Sequence, residues 1–170
     1  MRDAEVGVVG LPLLLGLRSI RWSNDGSAEI GGTSPRAKTG EPNLVFDRGR
    51  LLVRSEVLGH TALLALDTGA ATTDLNANFA AQFATAVEGA KRATQNVTGV
   101  GGTRTFESIE LPELALTIGP TRVYLRPAQI TLQRIAAIGG ECCIGNAGRD
   151  LLMQGRSFTI DLSTMTLRLQ

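Results

Sequence analysis

The residue whose setting most resembles a reactive group is Asp67, which the apolar run Leu63-Leu64-Ala65-Leu66 carries into the turn Thr68-Gly69-Ala70-Ala71-Thr72-Thr73. An acid approached by apolar residues is costly to ionise, and Gly69 lets backbone N–H groups come close to it. The expected result is a desolvated, aimed carboxylate whose protonation state the surroundings tune, as a general acid or base requires. The tripeptide alone is weak evidence, because Asp and Gly favour turns for conformational reasons. Two later stretches add weight: Thr98-Gly99-Val100-Gly101-Gly102-Thr103, and Ile144-Gly145-Asn146-Ala147-Gly148-Arg149-Asp150-Leu151-Leu152. The first lacks the spaced third glycine of a dinucleotide fingerprint and the Lys-Ser/Thr of a phosphate loop. It reads as a hairpin tip that flexes and hydrogen-bonds an extended peptide, the plain alternative being an ordinary β-turn.

Other reactive residue types yield less. His60 follows Gly59 between two apolar runs and reads as a hairpin-tip residue, and a single histidine with two cysteines makes no zinc ligand set. Cys142 and Cys143 are adjacent, a spacing that disfavours a disulfide, and are expected to be buried free thiols. Asp47, Asp74, Asp150 and Asp161 lie outside any Asp-Thr/Ser-Gly setting and read as turn, surface or ion-pair residues. The sequon Asn96-Val97-Thr98 carries meaning only in a secretory host.

The elements that must hold these residues are mostly strands. The 170 residues, 43% hydrophobic with a net charge of +1, suffice for one main core, and the interspersed charges exclude the basic stripe of a nucleic-acid binder. Val6 to Leu17 is apolar but too short to span a bilayer, and it lacks the basic flank and cleavage site of a signal peptide. A soluble protein, cytoplasmic or periplasmic, is expected. Gly31 to Pro42 concentrates Gly, Pro and polar residues and reads as a linker. Beyond it, apolar segments alternate with turn signals at Leu51–Leu58, Ala62–Leu66, Ile109–Leu116, Thr121–Leu125, Ile130–Leu132 and Phe158–Leu169, the pattern of a β-rich, barrel-like domain. Asn76 can cap a helix running through Ala77, Phe79, Ala80, Phe83 and Val87, and Arg149 to Met153 can form a short helix after Gly148.

With its three stretches in this order, the chain from about Leu44 to Gln170 resembles the retropepsin-like aspartic proteases, the retroviral-type family, and within it a bacterial-type member. The resemblance implies a mostly β, closed-barrel lobe with short helices (the acid protease fold) and an aspartic endopeptidase activity that needs no cofactor and no metal. It implies that Asp67 is the catalytic carboxylate, that Thr68 locks two active-site loops together, that Gly69 and Ala70 complete the loop, and that Gly99, Val100, Gly101 and Gly102 form a substrate-covering flap. One departure stands out: Asn146-Ala147-Gly148 separates Gly145 from Arg149, where the family runs directly from glycine into Arg and Asp or Asn. Arg149 and Asp150 are accordingly assigned to the scaffold.

Metal-free peptide hydrolysis takes one group to accept a proton from water and another to give a proton to the departing amine, which two carboxylates sharing a proton can do. This chain encodes one Asp-Thr-Gly. A homodimer would supply the second from another copy of Asp67. The alternative source is a second lobe, hinted at by an echo: Val8-Val9-Gly10, Leu13-Leu14-Leu15, Ser19 to Trp22, a turn at Asn24-Asp25-Gly26, and Ala28 to Ile30 parallel Cys143-Ile144-Gly145, Leu151-Leu152, Phe158 to Ile160, a turn near Ser163-Thr164, and Leu167 to Leu169. The expected organisation is therefore residues 1–30 as a segment resembling the tail of a preceding lobe, 31–43 as linker and 44–170 as the protease domain. The partners expected are a peptide or protein substrate and a second copy or lobe, with neither nucleic acid nor a membrane span. The competing function is a noncatalytic module of the same family that binds peptides or dimerises.

Overall fold

A computed structural model describes residues 10–31, 41–99, 102–133 and 142–170. The fold is mostly β with four short helices among those residues. Its larger sheet follows the order β10 (Thr121–Leu125), β9 (Leu114–Ile118), β4 (Arg50–Val57), β5 (His60–Leu66), β12 (Gly145–Ala147), β6 (Asp74–Leu75), β11 (Ala128–Thr131), β8 (Gly102–Leu111), β7 (Lys91–Gly99), with β3 (Leu44–Asp47) branching from β4, and curls into a half-barrel. The central strands are β4 (Arg50–Val57) and β5 (His60–Leu66), whose connection places Leu58 at φ 50° and Gly59 at φ 79°. Two positive φ values in a two-residue loop match the right-handed twist of the strands and fix the register, Val57 opposite His60 and Leu52 opposite Ala65. The connection from β3 to β4 uses the same device at Arg48 and Gly49. Side chains alternate across the sheet, so Val53, Val57, Leu64, Leu75, Ile118 and Ile130 converge in one core, which Phe79 joins from the helical segment after β6.

Several elements differ from the sequence reading. The helix capped by Asn76, whose side chain accepts from the N–H of Asn78 at 2.9 Å, breaks at Phe83 into α2 (Ala77–Gln82) and α3 (Ala84–Val87). The segment Ile109–Leu116 is divided at Pro112-Glu113 between β8 (Gly102–Leu111) and β9 (Leu114–Ile118), since proline cannot donate to a ladder. Strand β7 (Lys91–Gly99), which carries almost no apolar signal, pairs along its whole length with β8. Cys142 and Cys143 are joined to each other in a disulfide, correcting the expectation of free thiols: the chain bends here in a turn, with Cys143 packed against Leu52 and Ala65.

A second sheet runs β14-β13-β1-β2. Strands β1 (Ser19–Ser23) and β2 (Ala28–Ile30) form one hairpin, β13 (Ser157–Asp161) and β14 (Thr166–Leu169) another, and the two hairpins meet antiparallel through β1 and β13. The junction is related to itself by a local twofold. The N–H of Asn24 donates to the carbonyl of Arg156 at 3.0 Å, and that of Leu162 to the carbonyl of Arg18 at 2.7 Å. Inside each hairpin the closing bond is equivalent, Gly31 N–H to Ser19 O and Gln170 N–H to Ser157 O, both at 2.9 Å. Each hairpin follows a short helix capped by glycine: α1 (Leu11–Gly16) after Gly10 and α4 (Arg149–Leu152) after Gly148. In both, the carbonyl of the capping glycine accepts from the third and fourth residues beyond it, Leu13 and Leu14 in one, Leu151 and Leu152 in the other. One sequence offset thus maps Gly10 onto Gly148, Arg18 onto Arg156 and Ser19 onto Ser157. The two units share a glycine-capped short helix followed by a hairpin, with Gly10 in the place of Gly148 rather than of Gly145, while Val8 and Val9 lie outside the described residues.

Candidate active site around Asp67

Asp67 sits immediately beyond the end of β5, held between that strand and β12 (Gly145–Ala147). Strand β12 runs parallel to β5, with Ala147 opposite Leu66, and antiparallel to β6 (Asp74–Leu75), with Gly145 opposite Leu75. The loop from Asp67 to Thr73 therefore leaves and re-enters the sheet on either side of one short strand. Its start is pinned by the Asp67 N–H donating to Ala147 O at 3.1 Å. Its far side is pinned by α4, where the N–H groups of Arg149 and Asp150 donate to the carbonyls of Ala70 at 2.9 Å and Ala71 at 3.2 Å. These are helix-start donors that no residue within the helix can satisfy, and the loop takes them up.

Side chains complete the clamp. Thr73 donates its hydroxyl to Asp150 Oδ1 at 2.6 Å and accepts the Gly148 N–H at 2.9 Å. Gly148 passes so close to Thr72 that a Cβ there would overlap the Thr72 backbone. These are the residues sequence reasoning missed or left as generic scaffold. Asp74, half-buried beside the loop, accepts from Gln95 Nε2, and Gln95 in turn accepts from the Thr131 hydroxyl at 3.2 Å, so β7 is tied to β6. Burial raises the Asp74 carboxyl above its ordinary value; the Gln95 hydrogen bond opposes this, and the negative charges of Asp150 and Asp67 add to it.

The Asp67 carboxylate itself is gripped by backbone: its Oδ1 accepts the N–H of Gly69 at 3.1 Å and of Ala70 at 3.2 Å. A Cβ on Gly69 would stand 3.3 Å from that oxygen, which is why the smallest residue belongs there. The expectation of a desolvated acid is corrected, because Asp67 is exposed. Alternation along β5 sends Leu64 into the core, but Asp67 lies past the last rung, where no described residue closes over it. It opens onto a pocket of about 330 Å³ that Thr68, Gly69, Arg50 and Asn146 also line, with Leu11 and Leu14 of α1 among the other walls. Thr68 is half-buried, and its hydroxyl makes no hydrogen bond among the described residues.

The described part of the glycine-rich hairpin contributes nothing to the lining of this pocket. Gly99 and Gly102 form the outermost described rung of β7 and β8, and Val100 and Gly101 lie outside the described residues. His60 is exposed at the β4–β5 turn with its ring near Phe83. Among the described residues no group of His, Cys, Asp or Glu is placed to hold a metal ion, and no helix is long and apolar enough to cross a membrane.

No protein-family profile matches this chain, and no curated protein matches it. Among solved structures, the crystal structure of a retropepsin-like aspartic protease from Rickettsia conorii aligns with 68% of this chain and 80% of its own, at 18% identity and a TM-score of 0.48.

Proposed function

We propose that residues 44–170 form one lobe of a retropepsin-like aspartic endopeptidase and that Asp67 is one of the two carboxylates that hydrolyse the peptide bond. The observation that carries this reading is the pair of backbone N–H groups holding Asp67 Oδ1 at the mouth of a pocket. Such a grip fixes one oxygen and leaves the other to face a water. A second carboxylate brought within hydrogen-bonding distance makes double ionisation unfavourable, so the pair shares one proton, as aspartic proteases as a class do. The ionised member takes a proton from the attacking water while the protonated member gives its own to the departing amine. Gly69 and Ala70 hold the carboxylate, the Thr68 hydroxyl locks this loop to the one that carries the second carboxylate, and the hairpin tip of Gly99, Val100, Gly101 and Gly102 closes over an extended peptide as a flap.

The second reading, a noncatalytic module that binds peptide or partner, differs in needing no second carboxylate beside Asp67. The experiment therefore puts two copies of the loop in one molecule. A tandem protein repeats residues 41–147 directly ahead of Gly10, because Gly10 stands before α1 as Gly148 stands before α4. Digestion of a peptide library from acidic to neutral pH is expected to yield cleavage that falls to background when either copy carries Asp67→Asn, with the thermal midpoint unchanged. Cleavage that survives both substitutions overturns the assignment, and a folded tandem protein that cuts nothing supports the noncatalytic reading.

A further inference from the structure

We infer that the Cys142–Cys143 disulfide is a thiol–disulfide exchange site that a dithiol reaches through the pocket beside Arg54, and that its reduction loosens the strand holding the Asp67 loop. The exchange chemistry assigns no role to Asp67, so it holds whether or not the peptidase reading does.

The disulfide is poorly placed to act as a staple. Cross-linking stabilises a fold mainly by restricting the unfolded chain, more so for longer loops, and a bond between neighbouring residues closes only a small ring around their shared peptide unit. Its constraint is local. In an extended strand the side chains of successive residues point to opposite faces, whereas a bond between their sulfurs holds both on one side, and the chain turns at Cys142 before entering β12.

The two cysteines sit in different surroundings. Alternation along β4 and β5 sends Val53 and Leu64 into the main core and leaves Leu52 and Ala65 on the opposite face, where Cys143, 3% exposed, packs against them. Cys142 is only half-buried at the rim of that cluster, and it lines a cavity of about 430 Å³ together with Arg54, Thr61, Leu63 and Gln82. Arg54 is the one charged side chain among the described residues of that wall, and it stands opposite Leu63 in the β4–β5 register. A cation there favours the approach of a thiolate, the form that attacks a disulfide. The incoming thiolate bonds to Cys142 Sγ and expels the Cys143 sulfur, which takes up a proton. The second thiol of the reductant then attacks its own sulfur in that mixed disulfide, releases Cys142 as a thiol and departs as a disulfide. The dithiol thereby supplies the electron pair and the protons that the cysteines gain.

What the pair holds is the entrance to β12. The Cys143 carbonyl accepts from Asn76 Nδ2 at 3.1 Å and from Asn78 Nδ2 at 3.0 Å, which ties it to the start of α2. Ile144 donates its N–H to Leu63 O and accepts the Asn76 N–H at its own carbonyl, both at 2.9 Å. Farther along the same strand, Ala147 O takes the N–H of Asp67. A chain freed to extend at Cys142 shifts these contacts in turn, and the Asp67 loop with them.

Native alkylation and hydrogen exchange of the intact chain test this, with dithiothreitol as the dithiol. After equilibration with oxidised dithiothreitol the folded chain is expected to resist alkylation. With the reduced form both cysteines are expected to be alkylated without denaturant, and Arg54→Glu is expected to slow that reduction about tenfold. Exchange at the amides of Ile144 and Asp67 is expected to quicken by about tenfold or more on reduction, while the amides of β9 and β10 stay as they were. Cys142→Ser is expected to show the fast pattern with or without reductant; should that variant not fold, the oxidised and reduced forms of the unaltered chain decide. Failure of oxidised dithiothreitol to form the bond, alkylation that needs denaturant, or a reduction rate that Arg54→Glu leaves unchanged overturns the exchange site. Equal exchange in the two forms, or faster exchange throughout the sheet, overturns its link to the Asp67 loop.

Discussion

The C-terminal unit of residues 148–170 and the N-terminal unit of residues 10–31 trace the same path, glycine cap, short helix, strand, turn, strand, yet the first lies under a barrel and the second does not. The path is set locally by the capping glycines, the turn residues and the β1–β13 ladder, all of which both units have. Burial is set by what packs above, which only one has. The same backbone can therefore be strongly or weakly committed to its leucines, and substitutions at matched positions measure that commitment directly.

The largest contrast is expected between Leu151→Ala and Leu13→Ala. Leu151 is fully buried, so its truncation forfeits transfer free energy and leaves a cavity, at about 2–5 kcal/mol. Leu13 is exposed, and its truncation is expected to change stability by no more than about 0.5 kcal/mol. Chemical denaturation of both variants checks the pair. Equal losses would mean that α1 is already covered in the protein, and the contrast between the two units would be lost.

Next in size is Gly148→Ala against Gly10→Ala. A Cβ at Gly148 overlaps the Thr72 backbone, and the clash strikes the clamp in which the Gly148 N–H donates to Thr73, so a loss of roughly 1–3 kcal/mol together with displacement of the Asp67 loop is expected. At Gly10 the nearest atom to a new Cβ is Pro12 Cδ at 3.6 Å, ordinary contact, and little change is expected. In the tandem protein the Gly10 variant would become costly too, once a second loop packs against it. Thermal midpoints of the two variants in both proteins give the comparison.

The two regions also divide what the sequence made legible. Turn chemistry was readable, because Gly59, Asn24-Asp25-Gly26 and the Asn76 cap act within a few residues of themselves, although the turn takes in Leu58, read as strand, and leaves His60 paired to Val57. The Asp67 loop was readable as a turn with a carboxylate, since Gly69 and Ala70 grip it from two and three residues away. What holds that loop was not: Thr73 and Asp150 are 77 positions apart, and only the crossing of β5, β12 and β6 brings them together. The expected desolvation of Asp67 failed for a related reason, as strand apolarity reports the burial of Leu64 and stops at the last rung. Strand β7 escaped notice because its polar residues earn their place by pairing with β8 and through Gln95, not by facing a core. The echo was visible but misaligned, since Cys143-Ile144-Gly145 mimics Val8-Val9-Gly10 in composition whereas the helix caps set the true correspondence.

The smallest expected effect compares the acids that open the two hairpin turns. Asp25 Oδ1 accepts the N–H of Ser27 at 2.8 Å, and Asp161 Oδ1 accepts that of Ser163 at 3.0 Å and the Ser163 hydroxyl at 2.6 Å. At Asp161 burial pushes the carboxyl up, but the bonds from Ser163 and Thr164 together outweigh it and hold the group below its ordinary value. At Asp25 the bonds from Ser27 lower it in open solvent. A depressed carboxyl binds fewer protons folded than unfolded near the ordinary carboxylate value of about 4, so its contribution is present above that pH and is lost as pH falls through the folded value. Asp161→Asn is expected to flatten the acid limb of the stability curve and to strand Arg168, whose Nη2 lies 3.6 Å from Asp161 Oδ2. Asp25→Asn is expected to flatten it less, since solvent screens an exposed charge and its unfolded and folded surroundings are more alike. Denaturation midpoints between pH 2 and 7 for the two variants measure the difference; a larger change from Asp25→Asn would mean that the N-terminal turn is as enclosed as the C-terminal one, and the contrast between the units would be lost.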